Sequence, residues 1–229
     1  MAWTPRIAFL LAFTLFLVLI GLMAAFADEQ YMLVSLVLVI VSMLPFFIRF
    51  ELKRVQTREI VLIALLAAAA AVSRVPFAVL PSVQPTSFVI IASALVFGAE
   101  SGFMIGALAA LVSNMFLGQG PWTPWQMFGW GMIGWTAGLL RDVLIVHRWR
   151  LLGFGFLWGF LFGWIMNVWS ASGLIPNHDW TGIAFIYASS FYFDLFHALS
   201  NVFFLALFGG AWIKVLERFK RKYGLLQPG

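Results

Sequence analysis

Long apolar runs follow one another along almost the whole chain, and they constrain its fold more than any other feature. A transmembrane helix needs about 20 predominantly apolar residues. The chain is 63% hydrophobic and 10% charged, whereas soluble domains carry about 25% charged residues. The sequence therefore predicts an all-α polytopic membrane protein. Candidate segments lie at residues 7–27, 31–50, 58–73, 86–97, 102–117, 127–146, 153–174 and 184–214.

Two of these runs depart from the usual length. Residues 86–97 are short and lie between Pro85 and Gly98, which indicates a broken or tilted helix, or a hairpin with the next run. Residues 184–214 are more than a bilayer needs, so we expect the end of this segment to project into the cytoplasm as a basic tail.

The positive charges fall almost entirely on one side of such a bundle. If both termini are cytoplasmic, thirteen of the fourteen Lys and Arg residues lie inside, and Arg74 is the exception. Cytoplasmic loops of membrane proteins carry an excess of Lys and Arg. We therefore predict a multi-pass protein of the cell membrane with both termini in the cytoplasm. Orientation explains the net charge of +5, so no nucleic-acid partner is expected.

The first run allows one alternative interpretation. It begins after Arg6 and ends with Ala25-Phe26-Ala27 before Asp28, a pattern that a cleaved signal peptide also shows. Its apolar stretch is longer than a typical signal core, which favours a retained helix.

Several motifs of known chemistry are absent from the sequence. There is no G-x-x-x-x-G-K-[ST], no H-E-x-x-H, no G-x-S-x-G and no cysteine. These absences argue against a P-loop ATP site, the usual zinc-protease and serine-hydrolase centres, and thiolate metal sites. We expect no catalytic residues, no metal site and no cofactor in this chain.

Small residues recur at four-residue spacing in the third run. Ala64 with Ala68, or Ala67 with Ala71, would form a helical face that another helix can approach closely. This face either packs inside the bundle or docks another membrane subunit. Similar glycine pairs are expected mostly to serve internal packing; they are Gly102 and Gly106, Gly134 and Gly138, and Gly155, Gly159 and Gly163.

Two loops on the predicted outer side carry candidate binding residues. The loop at residues 73–85 contains three prolines, and its Arg74 either anchors a helix at the headgroups or binds an anionic or amide-rich ligand. In residues 114–127, side-chain amides flank two tryptophans, which serve as ordinary interfacial anchors or as a lid over a ligand. The residues of this second loop are Asn114, Gln119, Trp122, Trp125 and Gln126.

The last run carries a polar stripe made by Ser190, Asp194, His197 and Asn201. An ionisable residue at this depth costs at least ~2.5 kcal/mol unless it is paired or hydrated. Three interpretations remain open: a polar pair of Asp194 with His197, the floor of a substrate cavity that Asn167 joins, or a proton relay.

Together these features resemble a known family. The resemblance rests on four features: the alanine-rich helix that begins at Arg58, the proline-rich loop, the turn from Gly98 to Gly106, and the run at residues 112–127. Residues 58–215 resemble the substrate-binding S component of energy-coupling factor (ECF) vitamin transporters. The run Gly118-Gln119-Gly120-Pro121-Trp122-Thr123-Pro124-Trp125-Gln126 is similar to the subgroup assigned to cobalamin uptake.

The resemblance implies a six-helix bundle that captures a vitamin outside the cell and is not itself an enzyme. It also implies docking, through Ala64 and Ala68 or through Ala67 and Ala71, onto a transmembrane coupling subunit with two ATP-binding subunits that use the ATP. The six-helix pattern does not need the first two runs. We therefore divide the chain into residues 1–57, two extra helices and a basic linker, and residues 58–229, the six-helix substrate-binding domain with a basic tail.

We predict that the pocket takes a cobalamin-like corrinoid or another bulky polar vitamin. The residues expected to line or cover it are Arg74, Gln84, Asn114, Gln119, Trp122, Trp125, Gln126, Asn167, Asp194 and His197. Three alternatives remain: a proton-coupled secondary transporter of a small polar solute that uses Asp194 and His197, an intramembrane enzyme that uses the same pair, and a structural scaffold without a ligand.

Overall fold

The computed structural model describes residues 14, 18, 31–52, 56–172, 174 and 179–225, and every regular element in them is helical. The prediction of an all-α fold is therefore confirmed. The first predicted segment, residues 7–27, and its signal-peptide alternative lie outside the described residues except for Thr14 and Val18.

The helices follow the predicted segments closely in the described part of the chain. A 3₁₀ turn, Val75–Phe77, follows α2, and a π-helical segment, Leu205–Gly209, joins α9 to α10. In chain order the helices are α1 (Tyr31–Leu52), α2 (Thr57–Arg74), α3 (Thr86–Phe97), α4 (Ala99–Leu117), α5 (Thr123–Leu139), the short α6 (Arg141–Leu144), α7 (Arg148–Ala171), α8 (Trp180–Ser189), α9 (Phe191–Phe204) and α10 (Gly210–Tyr223).

Four stretches of these helices are long and apolar enough to cross a membrane: Thr57–Phe77, Ala99–Leu117, Arg148–Ala171 and Trp180–Tyr223. The last of these stretches contains α8, α9, the π-helical segment and α10. The loops at residues 75–85 and 118–122 form one end, which we call the proline-loop end. The opposite end, which we call the basic end, contains the start of α2, residues 140–148 and the end of α10.

The short helix α3 lies at the centre of the bundle, and all twelve of its residues are buried. It ends at Gly98, whose φ of 93° lies in the region that favours glycine. Helix α4 begins at the next residue. Of the alternatives for this segment, the structure therefore shows a complete short helix that forms a tight hairpin with α4.

Helices α4 and α5 approach each other through glycines. A Cβ atom on Gly106 would overlap the Trp130 carbonyl, and one on Gly134 would overlap the Gly102 carbonyl. On the other side of the bundle, Gly159 leaves room for the backbone of α9 in the same way. These glycines serve internal packing, as predicted.

The last predicted segment differs from expectation in two ways. It is divided into α8, α9, the π-helical segment and α10. Its basic end does not project freely, because the Lys220 ammonium donates a hydrogen bond to the Val96 carbonyl at 2.8 Å and Leu225 is buried. The Lys220 bond satisfies a carbonyl at the end of α3 that has no partner within its own helix.

Helix α1, the second of the two extra segments, shares the core of the bundle. Phe46 stacks on Phe103 with ring centroids 4.3 Å apart and meets Trp135 edge-on at 4.6 Å. Arg49 pairs with Glu100 at 2.7 Å. The division at residue 57 stays a prediction.

Candidate functional site

A buried polar cluster lies at the proline-loop end, where α2, α4 and α5 meet. Arg74 is the last residue of α2 and is followed by the 3₁₀ turn that contains Pro76. Its Nη1 donates hydrogen bonds to Ser113 Oγ at 3.0 Å and to Asn114 Oδ1 at 2.9 Å. The guanidinium lies 5.1 Å from the centre of the Trp130 ring, within the range of a cation–π interaction.

A chain of hydrogen bonds extends this cluster from Asn114 into the second loop. Asn114 Nδ2 donates to Gln126 Oε1 at 2.6 Å and to Thr123 Oγ1 at 3.0 Å. Thr123 donates in turn to Gln119 Oε1 at 2.9 Å. The structure thus brings together four predicted site residues, Arg74, Asn114, Gln119 and Gln126.

The two tryptophans of the second loop have different surroundings. Trp122 is 36% exposed, and its ring covers Gly120, where a Cβ atom would overlap it. Trp125 is 1% exposed and belongs to the hydrophobic core. Of the two, Trp122 alone has an exposed ring.

His197 belongs to a second polar group, which meets the first at Trp130. His197 Nε2 lies 2.8 Å from Ser87 Oγ, and Trp130 Nε1 donates to the same hydroxyl at 3.2 Å. The Phe162 ring contacts His197 edge-on and stacks on Trp130, both at 5.0 Å. Because Trp130 contacts Arg74 with its face and Ser87 with its ring nitrogen, it joins the two groups.

Asp194 belongs to a third group, which lies next to α7 near the start of α9, three residues before His197. Ser190 Oγ donates to Asp194 Oδ2 at 3.1 Å, and Asn167 Nδ2 donates to Ser190 Oγ at 2.7 Å. A Cβ atom on Gly163 would overlap the carboxylate. Asn167 therefore contacts the Asp194 group and not the network around Arg74.

Of the three interpretations of the polar stripe, the structure does not show the polar pair, since no hydrogen bond joins the described side chains of Asp194 and His197. Residues three apart on a helix point in directions about 60° apart. Asp194 turns towards α7 and His197 towards Ser87 on α3, so each finds its own hydroxyl partner.

Gln84 lies beside these groups, at the end of the proline-rich loop. Its backbone N–H donates to Ser200 Oγ at 3.0 Å. Its side-chain oxygen is buried and has no hydrogen-bond partner among the described residues. A buried acceptor without a partner is costly, so Gln84 Oε1 can accept a hydrogen bond from a ligand or a water.

Sequence reasoning missed three residues of the site: Ser87, Thr123 and Trp130. Ser87 and Trp130 lie within apolar runs, where a serine or tryptophan is ordinary. The available signal was the pair of glycines around Trp130, Gly129 and Gly131, which allow neighbouring helices to come close. Thr123 lies in the second loop between the two tryptophans, and its sequence position alone does not mark it as a binding residue.

The chemistry of the site suits binding. An aromatic face, a guanidinium and several amides converge, which is typical of small-molecule pockets. Within the described residues, no group of three or more His, Asp or Glu side chains could hold a metal ion.

Comparison with known families agrees with a binding function. A family model described as ECF-type riboflavin transporter, S component, matches residues 54–218, well over half of the 229-residue chain. The chain belongs to this S-component family. No curated protein and no solved structure matches it significantly.

Membership makes this S component the substrate-binding subunit of an ECF vitamin transporter, which is not an enzyme class. It implies a vitamin substrate and an ECF module with membrane and ATPase subunits. The resemblance to S components is therefore confirmed. The cobalamin-type subgroup is not supported by the match, which is to a riboflavin-type family, and it stays a prediction.

The four alanines predicted for docking divide between two faces of α2. Ala67 and Ala71 are 2% and 0% exposed and pack inside the protein. Ala64 is exposed and Ala68 is half-buried. A partner helix can therefore reach Ala64 and Ala68, whereas Ala67 and Ala71 are occupied by internal packing.

Proposed function

We propose that this S component binds its vitamin at the proline-loop end, against the Arg74–Trp130–Asn114 cluster. One observation carries the proposal: a half-buried guanidinium lies on an indole face and also bonds a buried amide. An arginine fork matches paired carbonyl acceptors of a ligand, and the neighbouring aromatic ring offers a flat apolar contact.

The charges support an orientation with the proline-loop end outside. Arg58, Arg141, Arg148 and Lys220 all belong to the basic end, and the excess of Lys and Arg marks the cytoplasmic side. In this orientation the end of α10 is cytoplasmic and the vitamin is captured from outside. The N-terminus is cytoplasmic as well if residues 7–27 cross the membrane, as the sequence predicts.

Delivery requires partners. Ala64 and Ala68 offer a small-residue face on α2, which lets a coupling-subunit helix approach closely. ATP is used by the ATPase subunits of the module, so this chain needs no cofactor of its own. Residues 58–229 then supply the binding domain, and residues 1–57 supply the two extra helices and the linker.

A riboflavin-like vitamin is the first candidate substrate, because the matching family carries that description. Gln84 Oε1 could accept a hydrogen bond from the N–H of a planar ring, and Trp122 could cover it. A cobalamin-like corrinoid is the second candidate, which the amide-rich run at residues 112–127 favours. In the structure, Asn114 donates directly to Gln126, and Thr123 links Asn114 to Gln119. An amide-rich corrinoid would have to exchange these bonds for its own.

The alternative of proton-coupled secondary transport loses its main support. It needs Asp194 and His197 to relay a proton, and these side chains have separate hydroxyl partners. It predicts uptake by this chain alone that collapses with the proton gradient, whereas the S-component proposal predicts uptake only with the ATPase module.

The deciding experiment titrates the purified full chain in detergent with riboflavin and cobalamin by calorimetry. We expect one-to-one binding of riboflavin, weakened at least tenfold in Arg74→Gln and unchanged in Arg150→Gln, an exposed arginine at the basic end. Tight binding of cobalamin in its place would make the corrinoid the substrate. Binding of either vitamin that Arg74→Gln leaves unchanged would contradict the proposed site, and binding of neither would contradict the proposed substrates.

A further inference from the structure

An open groove lies at the basic end, away from the vitamin site. It runs between the first turns of α2 and the last turn of α10, and its volume is about 210 Å³. Leu62 and Leu225 are buried and form its floor. The walls and rim are formed by Arg58, Val61, Leu65, Phe219 and Tyr223.

The groove combines apolar walls with a cation at its rim. Val61 and Leu65 are 62% and 64% exposed, and Phe219 and Tyr223 are 41% and 45% exposed. Arg58 is exposed and has no hydrogen-bond or ion-pair partner among the described residues. The nearest acidic side chain on α2, Glu59, is buried and accepts a hydrogen bond from the Gln56 backbone N–H at 2.9 Å.

Further positive charge comes from α10. In its last turn Lys220 points inward to the Val96 carbonyl, whereas Arg221 and Lys222 are exposed. Lys222 Nζ lies 5.2 Å from the centre of the Tyr223 ring. Glu217, the acidic residue of this helix, faces Arg141 at 3.8 Å. The rim of the groove is therefore electropositive.

Exposed apolar side chains continue past the groove along the membrane-spanning part of α2. Val72 is exposed and lies seven residues beyond Leu65, on the same side of the helix, so an acyl chain that enters the groove can follow α2 into the bilayer. A small soluble anion would leave these apolar walls uncovered.

We infer that this groove is a binding site for an anionic phospholipid. Its phosphate lies at Arg58, and an acyl chain lies between Leu65 and Phe219. Basic pockets between transmembrane helices on the cytoplasmic side bind anionic headgroups, and aromatic residues such as Tyr223 are common at headgroup depth. The inference does not depend on the identity of the vitamin.

The test uses the purified full chain in a non-ionic detergent, with phosphatidylglycerol as the probe and phosphatidylcholine as the neutral lipid. Thermal unfolding and native mass spectrometry report stabilisation and the number of lipids retained. We expect one phosphatidylglycerol to bind and to raise Tm more than phosphatidylcholine does. Inorganic phosphate alone should not raise Tm, and stabilisation by phosphate alone would overturn the lipid assignment.

Two variants and one control locate the site. Arg58→Gln should weaken phosphatidylglycerol binding about fivefold, since one cation near a membrane surface contributes ~1 kcal/mol. Leu65→Trp should also weaken it by filling the groove. Arg150→Gln removes an exposed charge from the same end and should have no effect. Equal stabilisation by both lipids, as expected if the groove serves only to receive the coupling subunit, would overturn the inference. An Arg150→Gln effect as large as that of Arg58→Gln would overturn it as well.

Discussion

Arg74 at the proline-loop end and Arg58 at the basic end have opposite surroundings. At the proline-loop end, the Arg74 guanidinium turns inward onto Trp130 and Asn114, and Asn114 is 2% exposed. At the basic end, Arg58 and Arg150 turn outward. Buried polar groups depend on fixed partners, whereas exposed charges keep water or headgroups as partners. The first end is therefore suited to selective binding and the second to orientation and surface contacts.

The largest effect is expected beside Trp130 of the polar cluster, where the backbones of α4 and α5 are in contact. Gly106→Leu would drive a side chain into the Trp130 carbonyl, and backbone atoms cannot yield as a flexible side chain can. We expect a loss of about 3 kcal/mol or more, at the upper end of the effect of overpacking, together with loss of vitamin binding. Thermal unfolding in detergent and calorimetric titration measure the two effects.

Gly153→Leu is the matched control for this change. A Cβ atom on Gly153 meets nothing within 4 Å, and the residue is exposed. It should therefore unfold near the wild-type temperature. Similar losses in the two variants would mean that helix packing, and not the α4–α5 contact, is sensitive throughout the bundle.

The next effect concerns the hydrogen-bonded amides. Asn114→Ala removes a partner from Arg74, Thr123 and Gln126 at once. A buried polar group that loses its partner costs about 1–3 kcal/mol, and we expect a loss of this size in the free energy of unfolding. Gln119→Ala acts on the exposed margin of the same network and should cost less. Equal losses would show that burial does not set the cost.

A smaller effect is expected inside α3. Ser87→Ala removes the hydroxyl that His197 and Trp130 share, and we expect a loss of about 1–2 kcal/mol. Ser93→Ala is the control, because Ser93 is fully buried on the same helix and its hydroxyl has no hydrogen-bond partner among the described residues. If Ser93→Ala proved as harmful as Ser87→Ala, the loss would come from packing and not from the shared hydroxyl.

The sequence predicted most of the fold because hydropathy and loop charge act over whole segments. The segment at residues 58–73, for example, reappears as α2 with one added residue at each end. Side-chain partners are decided by which helices become neighbours, and a single sequence does not contain that information. The helical spacing of Asp194 and His197 predicted that they share one face of the helix. In the structure the missing side chain of Gly163 on α7 leaves room for the Asp194 carboxylate, and His197 turns elsewhere. The convergence of Arg74 with Asn114, 40 residues away, could be expected only from the resemblance.

The smallest effect is expected at the basic end, where two ion pairs differ in how exposed they are. Arg141 and Glu217 are 3.8 Å apart, with side chains 39% and 42% exposed. Exposed pairs contribute about 0–1 kcal/mol, so Arg141→Gln should change the free energy of unfolding by less than about 0.5 kcal/mol. Arg49 and Glu100 are 2.7 Å apart and 22% and 10% exposed. Arg49→Gln should cost more, because it removes a positive charge from a carboxylate that little water can reach. Chemical unfolding of both variants at low and high salt separates the two pairs: the small Arg141 effect should disappear at high salt, and the Arg49 effect should persist. If Arg141→Gln cost as much as Arg49→Gln, exposure would not be what distinguishes the charges at this end.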